Sequence, residues 1–105
     1  MGFSDWFGTK EGGIPAGSPD PSKPHQLALY KFNSCPYCRR VMKGIESFSL
    51  DVEMRDIQQT SQHRKALKTK TGRTTVPCLF IDGEPMFESM DILAWLKAHD
   101  AAMNA

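Results

Sequence analysis

The four residues Cys35-Pro36-Tyr37-Cys38 constrain this chain more than any other stretch. They stand where a short apolar run, Leu27 to Phe32, gives way to a segment of helical spacing that opens on Pro36. Two thiols two residues apart can close a small disulfide ring or clamp a metal, so the motif alone leaves both chemistries open. The local context separates them. Proline is well placed at a first helical position, where its missing N–H would have no intrahelical partner. Cys35 then caps the helix, with free backbone N–H groups and the positive end of the helix dipole facing its sulfur. These favour thiolate over thiol, and Arg39, Arg40 and Lys43 push the same way, which makes Cys35 the attacking sulfur. Cys38, one helical turn on, is expected to lie deeper and to act second. The pattern implies thiol–disulfide exchange.

Composition narrows the setting. A chain of 105 residues is one domain's worth of core, and 40% hydrophobic with 24% charged residues is ordinary for a globular protein. A net charge of +1 argues against bulk attraction to nucleic acid or anionic lipid. Three cysteines are too few for a secreted disulfide framework, and a C-x-x-C beside a βαβ pattern points to a reducing compartment. No signal peptide, membrane span or myristoylation pattern is read at the start or elsewhere. Cytoplasm is the expected location, and a monomer the expected state.

Residues 1–26 read as a flexible leader, rich in Gly and Pro, before a domain over 27–105. Phe3, Trp6 and Phe7 have helical spacing and are expected to form one turn that docks on the domain. Leu27–Phe32 reads as a strand buried on both faces. A helix follows from Pro36 to about Phe48, with Val41, Met42, Ile45 and Phe48 inward. Gly44 weakens that helix by roughly 1 kcal/mol against Ala, and is expected to mark close packing on the sheet. Leu50–Ile57 is the second strand. A second helix starts at Thr60 or Ser61 and runs to Thr71, with Gly72 as its stop. Its apolar stripe is Ala66 and Leu67; its other face, His63, Arg64, Lys65, Lys68 and Lys70, is read as solvated, with steering of an anionic substrate as the alternative. Nucleic acid is not expected, because no aromatic residues are interleaved. Val76–Ile81 is the third strand, Asp82-Gly83 a two-residue hairpin turn, and Pro85-Met86-Phe87 a short edge strand. A last helix, Ser89 to His99 with Ser89 as N-cap, presents Ile92, Leu93, Trp95 and Leu96 on one face.

This β-α-β-α-β-β-α order, with Cys-Pro-Tyr-Cys after the first strand and Thr75-Val76-Pro77 opening the third, resembles a dithiol glutaredoxin over roughly residues 27–99. The resemblance implies an α/β, thioredoxin-like fold: a four-stranded mixed sheet with helices on both faces. It implies that Pro77 is cis and that the Val76 backbone pairs with the cysteine of glutathione. Cys35 becomes the attacking thiol and Cys38 the resolving one. Tyr37, Thr75, Val76 and Pro77 line the glutathione groove, and Ser89, Met90 and Asp91 hold the γ-glutamyl end, with Asp91 on the ammonium. Lys31 is the candidate partner of the glycyl carboxylate, with Arg73 or a second-helix lysine as its substitute. Many glutaredoxins have Gly-Gly where this chain has Phe87-Glu88, and Glu88-Ser89 is closer to the N-terminal domain of glutathione transferases.

The activity so implied is glutathione-dependent reduction of glutathione mixed disulfides and protein disulfides. Glutathione is the co-substrate and no metal is expected. The alternative is a module holding a [2Fe–2S] cluster between two copies of Cys35 and two glutathiones; a further one is an interaction domain with vestigial chemistry. Cys78 reads as a small buried apolar residue, a regulatory thiol or a third metal ligand. His25, His63 and His99 are too scattered to complete a zinc set.

Overall fold

The computed structural model describes residues 13–105. Its elements are β1 (Leu27–Lys31), α1 (Pro36–Glu46), β2 (Val52–Asp56), α2 (Ser61–Thr71), β3 (Cys78–Ile81), β4 (Glu84–Met86) and α3 (Ser89–Met103). The sheet order is β2-β1-β3-β4. β1 runs parallel to β2 and antiparallel to β3, and β3 pairs antiparallel with β4. This is the expected four-stranded mixed sheet.

The two central strands are the ones written as unbroken apolar runs, because a strand covered on both faces has no side to leave polar. Successive side chains then divide between two cores. Leu27, Leu29, Leu79 and Ile81 face Val41 and Ile45 of α1 and Ile92, Trp95 and Leu96 of α3. Ala28, Tyr30, Cys78 and Phe80 face Ile57, just past β2, and Leu67 of α2. α1 and α3 therefore share one face of the sheet and α2 covers the other. The register Leu29↔Leu79 and Ala28↔Phe80 keeps like with like across the central pair.

Several boundaries differ from expectation for local reasons. β2 spans Val52–Asp56 rather than Leu50–Ile57, since the five residues of β1 pair only that far. α1 stops at Glu46, where the Ser47 hydroxyl donates to the Gly44 carbonyl at 2.6 Å. α3 runs on to Met103, because Ala101 and Ala102 continue it beyond His99. The second helix buries Leu67 alone; Ala66 is exposed. Gly44 packs against a helix, not the sheet: a Cβ there would run into Leu93 Cδ2 on α3. The hairpin turn is as expected, with positive φ at both Asp82 (51°) and Gly83 (87°).

The expected Phe3, Trp6 and Phe7 turn lies outside the described residues. Residues 13–26 form no helix or strand, yet their contacts tie them to the domain. Consecutive carbonyls Pro19, Asp20 and Pro21 face Trp95 Nε1 (2.8 Å), His25 Nε2 (2.7 Å) and His99 Nδ1 (2.8 Å). His25 Nδ1 in turn meets Asp82 Oδ2 at 2.6 Å. Packing thus extends well before residue 27.

Candidate active site

Three chain reversals meet at one end of the sheet. β1 ends there and hands over to α1; β3 starts there, antiparallel to β1; and α3 starts there after β4. Tyr30 pairs with Cys78, so Pro77, just before Cys78, falls at the same level as the chain leaving β1 for Cys35. The Val76–Pro77 bond is cis, as the resemblance implies. Among the described residues, the Val76 backbone makes no hydrogen bond outside the helices and strands, so an extended ligand could pair with it.

Cys35 is the N-cap of α1 in extended conformation, and its sulfur accepts the Cys38 N–H at 3.4 Å. Pro36 is the first helical residue, and the Cys35 carbonyl accepts from Arg39 N–H at 2.9 Å. The two sulfurs differ in depth: Cys35 is 8% exposed and Cys38 fully buried. Burial pushes the Cys38 thiol up to about 12, against a smaller opposing influence of the Phe32 backbone. Cys38 is therefore a thiol at neutral pH. Cys78, also fully buried, is likewise pushed up to about 12 by burial, which fits the small apolar role.

Tyr37 stands 59% exposed at the mouth of the motif. Arg40 lies over its ring at 5.9 Å and donates to Met90 Sδ at 3.6 Å. Arg40, expected only to add positive charge beside Cys35, also ties the motif to the first turn of α3. Pro77 is buried, Val76 half-buried and Thr75 exposed. Arg73 stacks on Phe87 at 3.9 Å, between the segment leading to Pro77 and the start of α3.

The start of α3 differs from expectation in one position. Its N-cap is Glu88, not Ser89, and Glu88 has φ 74° and makes no side-chain cap. A positive φ is what Gly would supply at no cost there. The N–H groups of this first turn are left to be satisfied from outside the helix. Ser89 is buried as the first helical residue. Asp91 Oδ1 accepts the Gly13 N–H at 3.0 Å.

Lys31 already has partners within the domain. Its Nζ donates to Asn33 Oδ1 at 2.7 Å and meets Asp56 Oδ2 at 3.4 Å, with only 11% of its side chain exposed. Asp56 also accepts the N–H groups of Gln58 (2.8 Å) and Gln59 (3.0 Å). Burial works against the ionised Asp56, but those N–H groups and Lys31 hold its carboxyl below the ordinary 3.8. Lys31 thus fixes the turn into α2. Asp56 before a tight reversal is a common Asx-turn signal, but it says nothing of Lys31.

Among the described residues, no group of three or more His, Cys, Asp or Glu is placed to hold a metal ion. Nor is any helix there long and apolar enough to cross a membrane.

Comparison with known proteins agrees with this geometry. Glutaredoxin 3 of Escherichia coli is 30% identical over 68 residues, covering 65% of this chain and 82% of its own. A monothiol glutaredoxin of Caenorhabditis elegans, named as uncharacterised, is 34% identical over 64 residues; the match covers 57% of this chain and 44% of the relative's length. An epsilon-class glutathione transferase from housefly, Musca domestica, superposes with a TM-score of 0.61 at 23% identity, over 71% of this chain and 35% of its own. That last likeness is one of fold alone. The glutaredoxin family model matches residues 27–86, more than half of the sequence, from the first residue of β1 to the last of β4. The chain belongs to the glutaredoxin family.

Proposed function

We propose that the protein is a glutathione-dependent thiol–disulfide oxidoreductase that works through Cys35 and Cys38. The observation that carries this reading is the asymmetry of the pair. One sulfur caps a helix start beside the cis Val76–Pro77 bond; the other is buried and held as a thiol.

In the proposed reaction the Cys35 thiolate attacks the glutathione sulfur of a mixed disulfide. A Cys35–glutathione disulfide forms, the original S–S bond breaks, and the target leaves as a thiolate that takes a proton from water. A second glutathione thiolate attacks the glutathione sulfur on Cys35, giving glutathione disulfide and free Cys35. For a protein disulfide, Cys35 first forms the mixed disulfide with the target. Cys38 then loses its proton to water and attacks Cys35, the target leaves as a thiolate that regains a proton from water, and the 35–38 disulfide closes; two glutathiones reopen it, leaving as glutathione disulfide.

Glutathione would lie along Val76 by strand-like backbone pairing, with Tyr37, Thr75 and Pro77 around it. Its γ-glutamyl carboxylate would meet the open N–H groups of Ser89 and Met90, and its ammonium would meet Asp91. With Lys31 held by Asp56, the glycyl carboxylate falls to Arg73. Targets would be glutathionylated or disulfide-bonded proteins, in a reducing compartment such as the cytoplasm.

The test uses glutathione-coupled reduction of a glutathionylated peptide and of a protein disulfide. Cys35→Ser should abolish both. Cys38→Ser should keep the first and lose the second, with a glutathione adduct on Cys35 by mass spectrometry. An active Cys35→Ser with a dead Cys38→Ser would reverse the assignment. A brown chromophore lost on oxidation would favour the cluster-holding alternative.

A further inference from the structure

Residues 13–25 run beside α3 from its first turn to the β3–β4 hairpin, and His25 pins them. Its two ring nitrogens face acceptors only: Nδ1 the Asp82 carboxylate at 2.6 Å, Nε2 the Asp20 carbonyl at 2.7 Å. A neutral imidazole has one N–H and can satisfy one of these; the imidazolium satisfies both. Around the ring stand Asp82 from the hairpin, the Asp20 carbonyl and carboxylate from the leader, and the Trp95 and His99 rings of α3 at 5.5 and 5.6 Å. Burial opposes the charged form, but the Asp82 and Asp20 contacts outweigh it and raise His25 above the ordinary 6.5. On losing its proton the ring keeps Nδ1–H for the stronger, charge-assisted Asp82 partner and drops the Asp20 carbonyl. That carbonyl is the middle one of the three that hold the segment.

At the other end, the Gly13 N–H sits on Asp91 Oδ1. Between Gly13 and Pro19 the segment bridges a groove of about 400 Å³ over Ile81, Pro85, Met86 and Phe87, so little apolar packing holds it down.

We propose that residues 13–21 form a strap, latched by protonated His25, that competes with glutathione for the Asp91 carboxylate. With His25 charged, the strap keeps a backbone N–H where the glutathione ammonium would go. As pH rises through the His25 midpoint the latch opens and Asp91 is freed. The inference rests on the placing of the ammonium at Asp91.

The test measures KM for glutathione across about pH 5 to 8, in the wild type and in Gly13→Pro, which lacks the N–H on Asp91. Ionisation of the glutathione thiol cancels in the ratio of the two. That ratio should be about two- to tenfold below the His25 midpoint, the size of one net hydrogen bond, and fall to one above it. A ratio of one throughout, with Asp91→Asn raising KM, overturns the strap. If Asp91→Asn leaves KM unchanged, the fault lies with the placing of glutathione, and NMR decides on the strap by itself. The Gly13 amide and Trp95 indole N–H should then titrate with the His25 ring, and Asp82→Asn, which keeps the side-chain shape, should lower their shared midpoint. A Gly13 amide indifferent to His25 overturns the proposal.

Discussion

At Cys38, burial decides the chemistry. A thiol held up to about 12 has a small thiolate fraction at neutral pH. Closure of the 35–38 disulfide should therefore quicken close to tenfold per pH unit on the alkaline side of neutrality. Quenched-flow trapping of the closed disulfide measures this; a pH-independent closure would contradict it. Glu88 offers a second check at this scale. Non-glycine residues in sparsely populated backbone regions cost on the order of 1–3 kcal/mol, and Glu88 at φ 74° makes no capping bond in return. Glu88→Gly should stabilise the fold by roughly 1 kcal/mol in denaturant titration. The motif cysteines and the turn glycines were legible in the sequence because local backbone chemistry dictates them. Lys31 was not, since its partner Asp56 comes from a different strand.

Elements were legible where periodicity is strong. The apolar runs of β1 and β3 and the spacing of Val41, Ile45, Ile92 and Leu96 declare strands and helices whatever the tertiary context. What Gly44 faces could not be read, because helix spacing gives a residue's direction but not which neighbour waits there. Gly44→Ala gains roughly 1 kcal/mol of helix propensity and presses on Leu93 Cδ2. The gain should be nearly cancelled in the wild type and recovered in a Leu93→Ala background. A double-mutant cycle in urea should give a coupling of about 0.5–1 kcal/mol; strict additivity would show that Leu93 simply moves aside.

For the molecule as a whole, ionisable groups define a window of stability. Asp20, Asp56 and Asp82 are held below 3.8 and Glu53 below 4.5, so their contribution is present above those values and lost as pH falls through their folded pKa values. His25 is raised above 6.5, so its contribution is complete below 6.5 and lost as pH rises through its folded value. Cys38 and Cys78 stay protonated in the fold while unfolded cysteines ionise near 9.0, so stability falls again above that. Thermal unfolding of reduced protein should thus peak between about pH 4.5 and 6.5, and the neutral decline should vanish in His25→Gln. The leader's attachment escaped the sequence for a reason of the same scale. Its contacts are backbone carbonyls meeting rings 76 and 78 positions away, and carbonyls leave no compositional trace.

The alternation of β1 and β3 between two cores has a consequence for how this chain can vary in length. One residue inserted between Leu27 and Tyr30 would exchange the two slabs' contents, sending the Tyr30 ring toward Trp95 and a leucine toward Leu67. An even-numbered insertion would restore the parity, yet it would push Cys35 outward from the level of Pro77. The central strands are therefore closed to growth of any size, and change in length is confined to the connections at the far end of the sheet.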